Sequence, residues 1–194
     1  MTEVLAIDIG GTKLAAARIS DQGHIIEQRS RPTVGADAEA LFDGLCSLVS
    51  PLLNLATLAG CGVGCGGPMT AGGELVSPLN IPQWRDFPLR TRLEERLGLP
   101  VVVDNDAKAF ALAEGRFGAA ADVSNFIALV VSTGVGGGIV LDGRLLDGRL
   151  GNAGHIGHLV VDPDGPRCRC GVRGCLEAMA SGTALRRDLG YFPE

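Results

Sequence analysis

The segment GHIGHLVVDPDGPRCRCGVRGCLE, residues 154–177, holds two of the chain's three histidines and three of its six cysteines in a stretch rich in glycine and proline. His158 precedes Cys168 by ten residues, and Cys168, Cys170 and Cys175 complete a C-x-C-x4-C pattern. One imidazole and three thiolates make a closed tetrahedral shell, and zinc is the metal that suits it. A closed shell leaves no open coordination position, so this zinc is expected to be structural. In small zinc domains such binding amounts to roughly 10–16 kcal/mol in apparent terms at neutral pH, enough to hold a loop without a core of its own. The competing reading, a loop of buried free cysteines, does not account for that spacing.

Two further stretches have the composition of anion cradles. In DIGGTK, residues 8–13, Gly10 and Gly11 free the backbone to aim amides at an anion, and Thr12 and Lys13 add donors. STGVGGG, residues 132–138, repeats the theme with Thr133, Gly134, Gly136 and Gly137. Either alone is compatible with a plain hairpin turn. A matched pair, one in each half of the chain, is expected to face across a cleft and hold a polyphosphate. Asp8 then serves as an acceptor for a metal-bound water.

In VVVDNDAKAFALAE, residues 101–114, Asn105 and Asp106 stand where a buried strand gives way to a helix. Asp106 is either an ordinary N-cap or a general base facing a cleft, with Asn105 beside it to bind a hydroxyl. Asp104 competes for the base role.

The elements that must position these groups follow from periodicity. Residues 4–9, 13–19 and 24–30 read as an antiparallel meander. Residues 37–56 carry Leu41, Leu45, Leu48, Val49 and Leu52 at helical spacing. A short buried strand is expected at 60–65, a helix at 88–98 ended by Gly98, a strand at 100–104, a helix at 106–118 and a strand at 125–132. Residues 133–138 read as a turn, 138–148 as a hairpin, and 176–188 as a helix. The reading is α/β with two similar halves, 1–118 and 119–194, divided near 118–124.

Composition bounds the rest. The 194 residues are 46% hydrophobic and 20% charged, which is globular composition. The formal net charge of −5 argues against broad nucleic-acid or membrane-surface binding. The N-terminal stretch has Asp8 and Lys13 inside its apolar run, and no stretch approaches the length of a membrane span. The expectation is a cytoplasmic protein whose thiols stay reduced. Cys46, Cys61 and Cys65 read as small buried hydrophobes, Trp84 as a packing residue, His24 as a strand-surface residue, and Lys108 as solvent-facing on its helix.

LAIDIGGTKLAAA, DNDAKAFALAEG, VVSTGVGGGIVLDG and the histidine- and cysteine-rich segment, in that order along nearly the whole chain, resemble the ROK family of bacterial sugar kinases and sugar-responsive repressors. The resemblance implies an actin-like ATPase (ribonuclease H-like) fold of two lobes with a structural zinc loop. It implies that Asp8, Gly10, Gly11, Thr12 and Lys13 form the first phosphate motif and Thr133, Gly134, Gly136 and Gly137 the second. Asp106 matches the catalytic base, and Asn105 the sugar-binding amide beside it. His158 matches a residue that ligates zinc and contacts the sugar, with Cys168, Cys170 and Cys175 as the other ligands. Glu177 matches an acceptor for a sugar hydroxyl, and Gly67 and Asn80 lie in the other sugar-side loop. ATP and Mg²⁺ are the implied cofactors besides zinc, a small sugar the partner, and a homodimer the assembly of the full-length protein.

Two departures stand out. His155 occupies a place where many members carry Glu but N-acylmannosamine-kinase-like relatives also carry His, while the loop SPLNIPQWRDFPL looks more like glucokinase-type members. The chain also stops where members continue, so the C-terminal part of the second lobe is expected to be missing and the chain to be a fragment. The expected activity is ATP-dependent phosphorylation of a hexose 6-hydroxyl, glucokinase-like. An amino-sugar kinase for N-acetylmannosamine or N-acetylglucosamine is the alternative. A non-catalytic sugar-binding or regulatory protein is the alternative from another class; a repressor of this family needs an N-terminal helix-turn-helix, which the strand beginning at Val4 leaves no room for.

Overall fold

Leu5, Ile7 and Ile9 alternate with Val4, Ala6 and Asp8 along β1 (Glu3–Ile9). In the computed structural model, which describes residues 2–190, the first three are buried. A period of two gives the strand one core face and one open face, and Asp8 lies on the open one. β1 pairs antiparallel with β2 (Lys13–Ser20), and β2 with β3 (Ile25–Pro32), as the meander requires. On its other side β1 runs parallel to β4 (Leu58–Cys65), which runs parallel to β5 (Val101–Asn105). The resulting order is β3-β2-β1-β4-β5.

Parallel neighbours need crossover connections, and two helices provide them. α1 (Ala38–Val49) begins where Asp37 accepts the Ala40 N–H at 2.8 Å. It ends short of the expected 37–56 because Pro51 cannot continue an α-helix, and the chain goes on as a 3-10 turn, Ser50–Leu52. α2 (Leu89–Leu97) stops at Gly98 in the left-handed conformation (φ 66°). Leu41, Leu45 and Val49 of α1 and Leu89, Leu93 and Leu97 of α2 join β1, β4 and β5 in one core. Each such leucine contributes about 1.5–3 kcal/mol by burial. Cys46, Cys61 and Cys65 belong to the same core.

The chain divides into two compact units, Met1–Asp106 and Ala107–Glu194. α3 (Asp106–Phe117) follows directly on β5, yet all but its first residue falls in the second unit, whereas a division near 118–124 groups it with the first. The reason is glycine packing. A Cβ on Gly138 would stand 2.4 Å from Ala111 Cβ, and one on Gly136 2.8 Å from Ala107 Cβ. The second unit's sheet has the antiparallel order β6-β7-β8, formed by β6 (Phe126–Val131), β7 (Val135–Leu141) and β8 (Arg144–Leu145). β7 turns into β8 through Asp142 (φ 49°) and Gly143 (φ 72°), the Asp-Gly pair that a tight hairpin favours. The helix expected over 176–188 is two helices, α4 (Leu176–Ala180) and α5 (Gly182–Leu189). Ser181 breaks it by going extended and accepting the Ala184 N–H at 3.1 Å, an N-cap signal in Ser-Gly-Thr that periodicity passes over. Among the described residues no helix is long and apolar enough to cross a membrane.

Candidate active site and metal centre

In the first unit the C-terminal ends of β1, β4 and β5 stand side by side: Asp8 is opposite Gly64, and Gly64 opposite Asp104, with Asn105 in register with Cys65. Ligand chemistry in open α/β sheets gathers at these strand ends. The register brings together Asp8, the 10–13 turn, Gly67 and the Asn105–Asp106 pair. Asn105 is buried; Asp106 and Asp8 are exposed. Partial loss of water around Asp8, with the negative charge of Asp106 nearby, holds the Asp8 carboxyl above the usual range, and Lys13 pulls the other way. An Asp8 carboxyl disfavoured by a neighbouring negative charge marks a place prepared for a cation or a proton. Beneath them burial pushes the Cys65 thiol well up, with Asp106 and Asp8 adding to the effect, and burial alone pushes Cys61 up to about 12. Both thiols are inert packing groups.

The 10–13 turn is tighter than its glycines suggest. The Gly10 N–H donates to the Lys13 carbonyl at 3.0 Å, and neither Gly10 nor Gly11 has a positive φ. Gly11 is required by close approach: a Cβ there would lie 2.5 Å from Asn80 Cβ and 3.2 Å from Asn80 O. Asn80 and Gly67 are joined through the Leu79 N–H, which donates to the Gly67 carbonyl at 3.2 Å. The loop is anchored further by Trp84, fully buried, stacked on Phe87 at 4.6 Å and donating from Nε1 to the Ala38 carbonyl at 3.2 Å. Trp84 is the packing residue expected.

In the second unit His158, Cys168, Cys170 and Cys175 converge, their ligand atoms all within 4.8 Å of one another. Cys168 Sγ is 3.6 Å from His158 Nδ1, and Cys170 Sγ 3.6 Å from Cys175 Sγ. The edges of a tetrahedron with metal–sulfur bonds of about 2.3 Å measure about 3.8 Å, so this donor set fits zinc. The Cys168 and Cys175 thiols are pushed up, first by burial, so a cation is what would make their thiolates favourable. His158 turns Nδ1 to the cluster, and His155, half-buried, stands edge-on to it with ring centroids 6.4 Å apart.

The second glycine turn differs from its reading as residues 133–138. Only 132–134 turn, with the Ser132 N–H donating to the Gly134 carbonyl at 2.9 Å. Gly136 and Gly137 lie inside β7, opposite Val130 and Leu129, where they admit neighbouring chain: a Cβ on Gly137 would meet Ile156 Cδ1 at 2.5 Å. Thr133 and Gly134 stay in the turn, and Glu177 comes up against them.

Sequence reasoning missed two contacts. Lys108, expected in solvent, is 1% exposed and donates to Asp147 Oδ1 at 2.6 Å and to the Gly151 carbonyl at 3.2 Å. Glu177 accepts the Val135 N–H at 2.9 Å. A lysine inside the apolar run AKAFALA was the available signal for the first. No local pattern announces the second.

Residues 4–193 match the ROK family. The chain belongs to the ROK family. A curated relative, the N-acetylmannosamine kinase of Citrobacter koseri, is 48% identical over 185 residues, 93% of this chain and 62% of the relative. A ROK family glucokinase from Streptomyces griseus, solved with glucose and AMPPNP, superposes with a TM-score of 0.87 at 40% identity, covering 95% of this chain and 59% of that one. A ROK hexokinase from Thermus thermophilus gives 0.82 at 42% identity, covering 98% and 64%. The α/β fold is therefore the actin-like ATPase fold of these ROK neighbours. The chain spans about 62% of the length of the curated relatives it matches.

Proposed function

We propose that this chain carries the acceptor-sugar and phosphate machinery of an ATP-dependent ROK sugar kinase that phosphorylates the 6-hydroxyl of an N-acylated amino sugar of the N-acetylmannosamine class. The observation that carries the reading is the register of β1, β4 and β5, which gathers Asp8, the 10–13 turn, Asn105 and Asp106 at one end of one sheet. The amino-sugar preference rests on the identity to N-acetylmannosamine kinases and on His155, which can donate as well as accept. Glucose is the second reading, supported by the likeness to the glucokinase solved with glucose.

In this reading Asp106, exposed at the mouth of α3, accepts the proton of the sugar's primary hydroxyl as that oxygen attacks the γ-phosphorus of ATP. The carboxylate ends protonated, the new O–P bond forms, and ADP leaves with the electrons of the old one. A general base of this kind is worth about 10²–10⁴-fold. Asn105, Asn80 and Gly67 orient the acceptor, with His155, His158 and Glu177 as further sugar-side groups. The 10–13 turn, Thr133 and Gly134 serve the phosphates, and Gly136 and Gly137 act by packing β7. Asp8 would hold Mg²⁺ through water, and the cation would offset phosphate charge. Zinc on His158, Cys168, Cys170 and Cys175 would keep His158 in one tautomer with Nε2 available. The thiolate ligands suit a reducing cytoplasm.

The test has two parts. Calorimetry of the 194-residue chain with N-acetylmannosamine, N-acetylglucosamine and glucose should show the first bound most tightly. Coupled ADP release, in the longest form of the protein its gene encodes, should follow the same order and fall by at least about 10²-fold in Asp106→Asn with sugar binding kept. An Asn variant of near-normal turnover would remove Asp106 from its role, and sugar-independent ADP release would remove the kinase reading.

A further inference from the structure

Glu177 sits two residues beyond Cys175, in the first turn of α4, and its two oxygens point to different structures. Oε2 accepts the Val135 N–H at 2.9 Å. Oε1 lies 3.9 Å from Cys168 Sγ. The contact with the turn is intimate: a Cβ on Gly134 would stand 2.3 Å from Oε2 and would push the carboxylate from its present position. The next residues extend the same attachment. The Gly182 N–H donates to the Ser132 carbonyl and the Thr183 hydroxyl to the Thr133 carbonyl, both at 2.7 Å. Two successive turn residues, Ser132 and Thr133, and Val135 are thus held from the α4–α5 segment, and that segment follows directly on Cys175.

We infer that Glu177 is a positioning residue that couples the cysteine cluster to the second glycine turn, beyond any hydrogen bond it offers a sugar. A backbone amide held by an ionised carboxylate is a charge-assisted hydrogen bond, stronger than a neutral one. It fixes where the 132–135 backbone runs. The cysteine loop supplies the anchor, because Cys168 Sγ lies beside Oε1 and Cys175 stands at the N-cap of the helix that carries Glu177. Loss of the metal therefore loosens the turn as well as the loop. The consequence for phosphate binding rests on the kinase reading; the coupling itself does not.

Amide hydrogen exchange on the 194-residue, metal-loaded protein tests the coupling directly. The Val135 amide should exchange at least about tenfold faster in Glu177→Ala and remain protected in Glu177→Gln, whose side-chain oxygen still accepts. The Gly138 amide, opposite Ala128 in the β6–β7 ladder, is the control for an intact sheet and should not change. Chelation of the metal should deprotect Val135 in the parent protein and add little in Glu177→Ala. In the longest form of the protein, Glu177→Gln should keep the parent KM for ATP while raising that for sugar, and Glu177→Ala should raise both. Unchanged protection of Val135 in Glu177→Ala with Gly138 intact, or on chelation of the parent, would overturn the inference. If exchange follows the expectation while no sugar or nucleotide binds, the coupling stands and the kinase reading falls.

Discussion

Replacing Asp147 by alanine looks harmless from the sequence, since Asp147 sits in a loop with a side chain 65% exposed. Surface substitutions of that kind usually change stability by no more than about 0.5 kcal/mol. The structure argues for a much larger effect. Asp147 faces an ammonium whose own side chain is only 2% exposed, at 2.6 Å. Removing one member of a fully buried ion pair costs roughly 3–5 kcal/mol, because the other charge is left without compensation. Here the Gly151 carbonyl still accepts from Lys108 at 3.2 Å, and water reaches the side Asp147 leaves open, so about 2–3 kcal/mol is expected. For a chain of this size that corresponds to a fall in Tm of about 4–12 °C. Lys108→Met removes the buried charge and keeps the volume, and should cost about 1.5 kcal/mol or less. The double variant should recover most of the Asp147→Ala loss, giving a coupling energy above about 1 kcal/mol. Urea denaturation of the four proteins at neutral pH and low salt measures it. If Asp147→Ala is as stable as the parent while Lys108→Met is the more damaging change, the reasoning from the buried charge is wrong.

Gly11→Ala should displace the Asn80 loop, whose Cβ would be 2.5 Å from the new one, and weaken sugar binding by about 10- to 100-fold in calorimetry. Trp84→Ala should destabilise by about 3–5 kcal/mol, whereas Trp84→Phe, which keeps the stack on Phe87 and loses the bond to the Ala38 carbonyl, should cost about 1 kcal/mol in the same urea assay. Asp8 is held above its ordinary range in the folded chain, so the folded state binds that proton more tightly than the unfolded one. Its contribution is fully present below the unfolded value and is lost as pH rises through the folded value. Asp8→Asn removes that loss, and should raise Tm at pH 7, by an amount reduced by solvent screening of an exposed group. The gain should shrink as pH is lowered toward the carboxylate range, and a Tm that falls at pH 7 counts against this account of Asp8.

Spacing alone picked out the four candidate metal donors. C-x-C-x4-C with a histidine ten residues earlier brings four donors together because glycines at 165, 171 and 174 let a short loop close on itself. The meander, the crossover helices and the strand ends bearing Asp8 and Asp106 were legible for a similar reason. Each depends on a period of 2 or 3.6 and on residues a few positions apart. What only the tertiary structure decided are contacts between residues far apart in the chain. Gly11 owes its identity to Asn80, Gly136 and Gly138 owe theirs to α3, Lys108 is buried because Asp147 meets it, and Glu177 turns to Val135. In the sequence the glycines of 133–138 read as one flexible turn, because a glycine that bends the chain and a glycine that admits a neighbour look alike until the neighbour is in place.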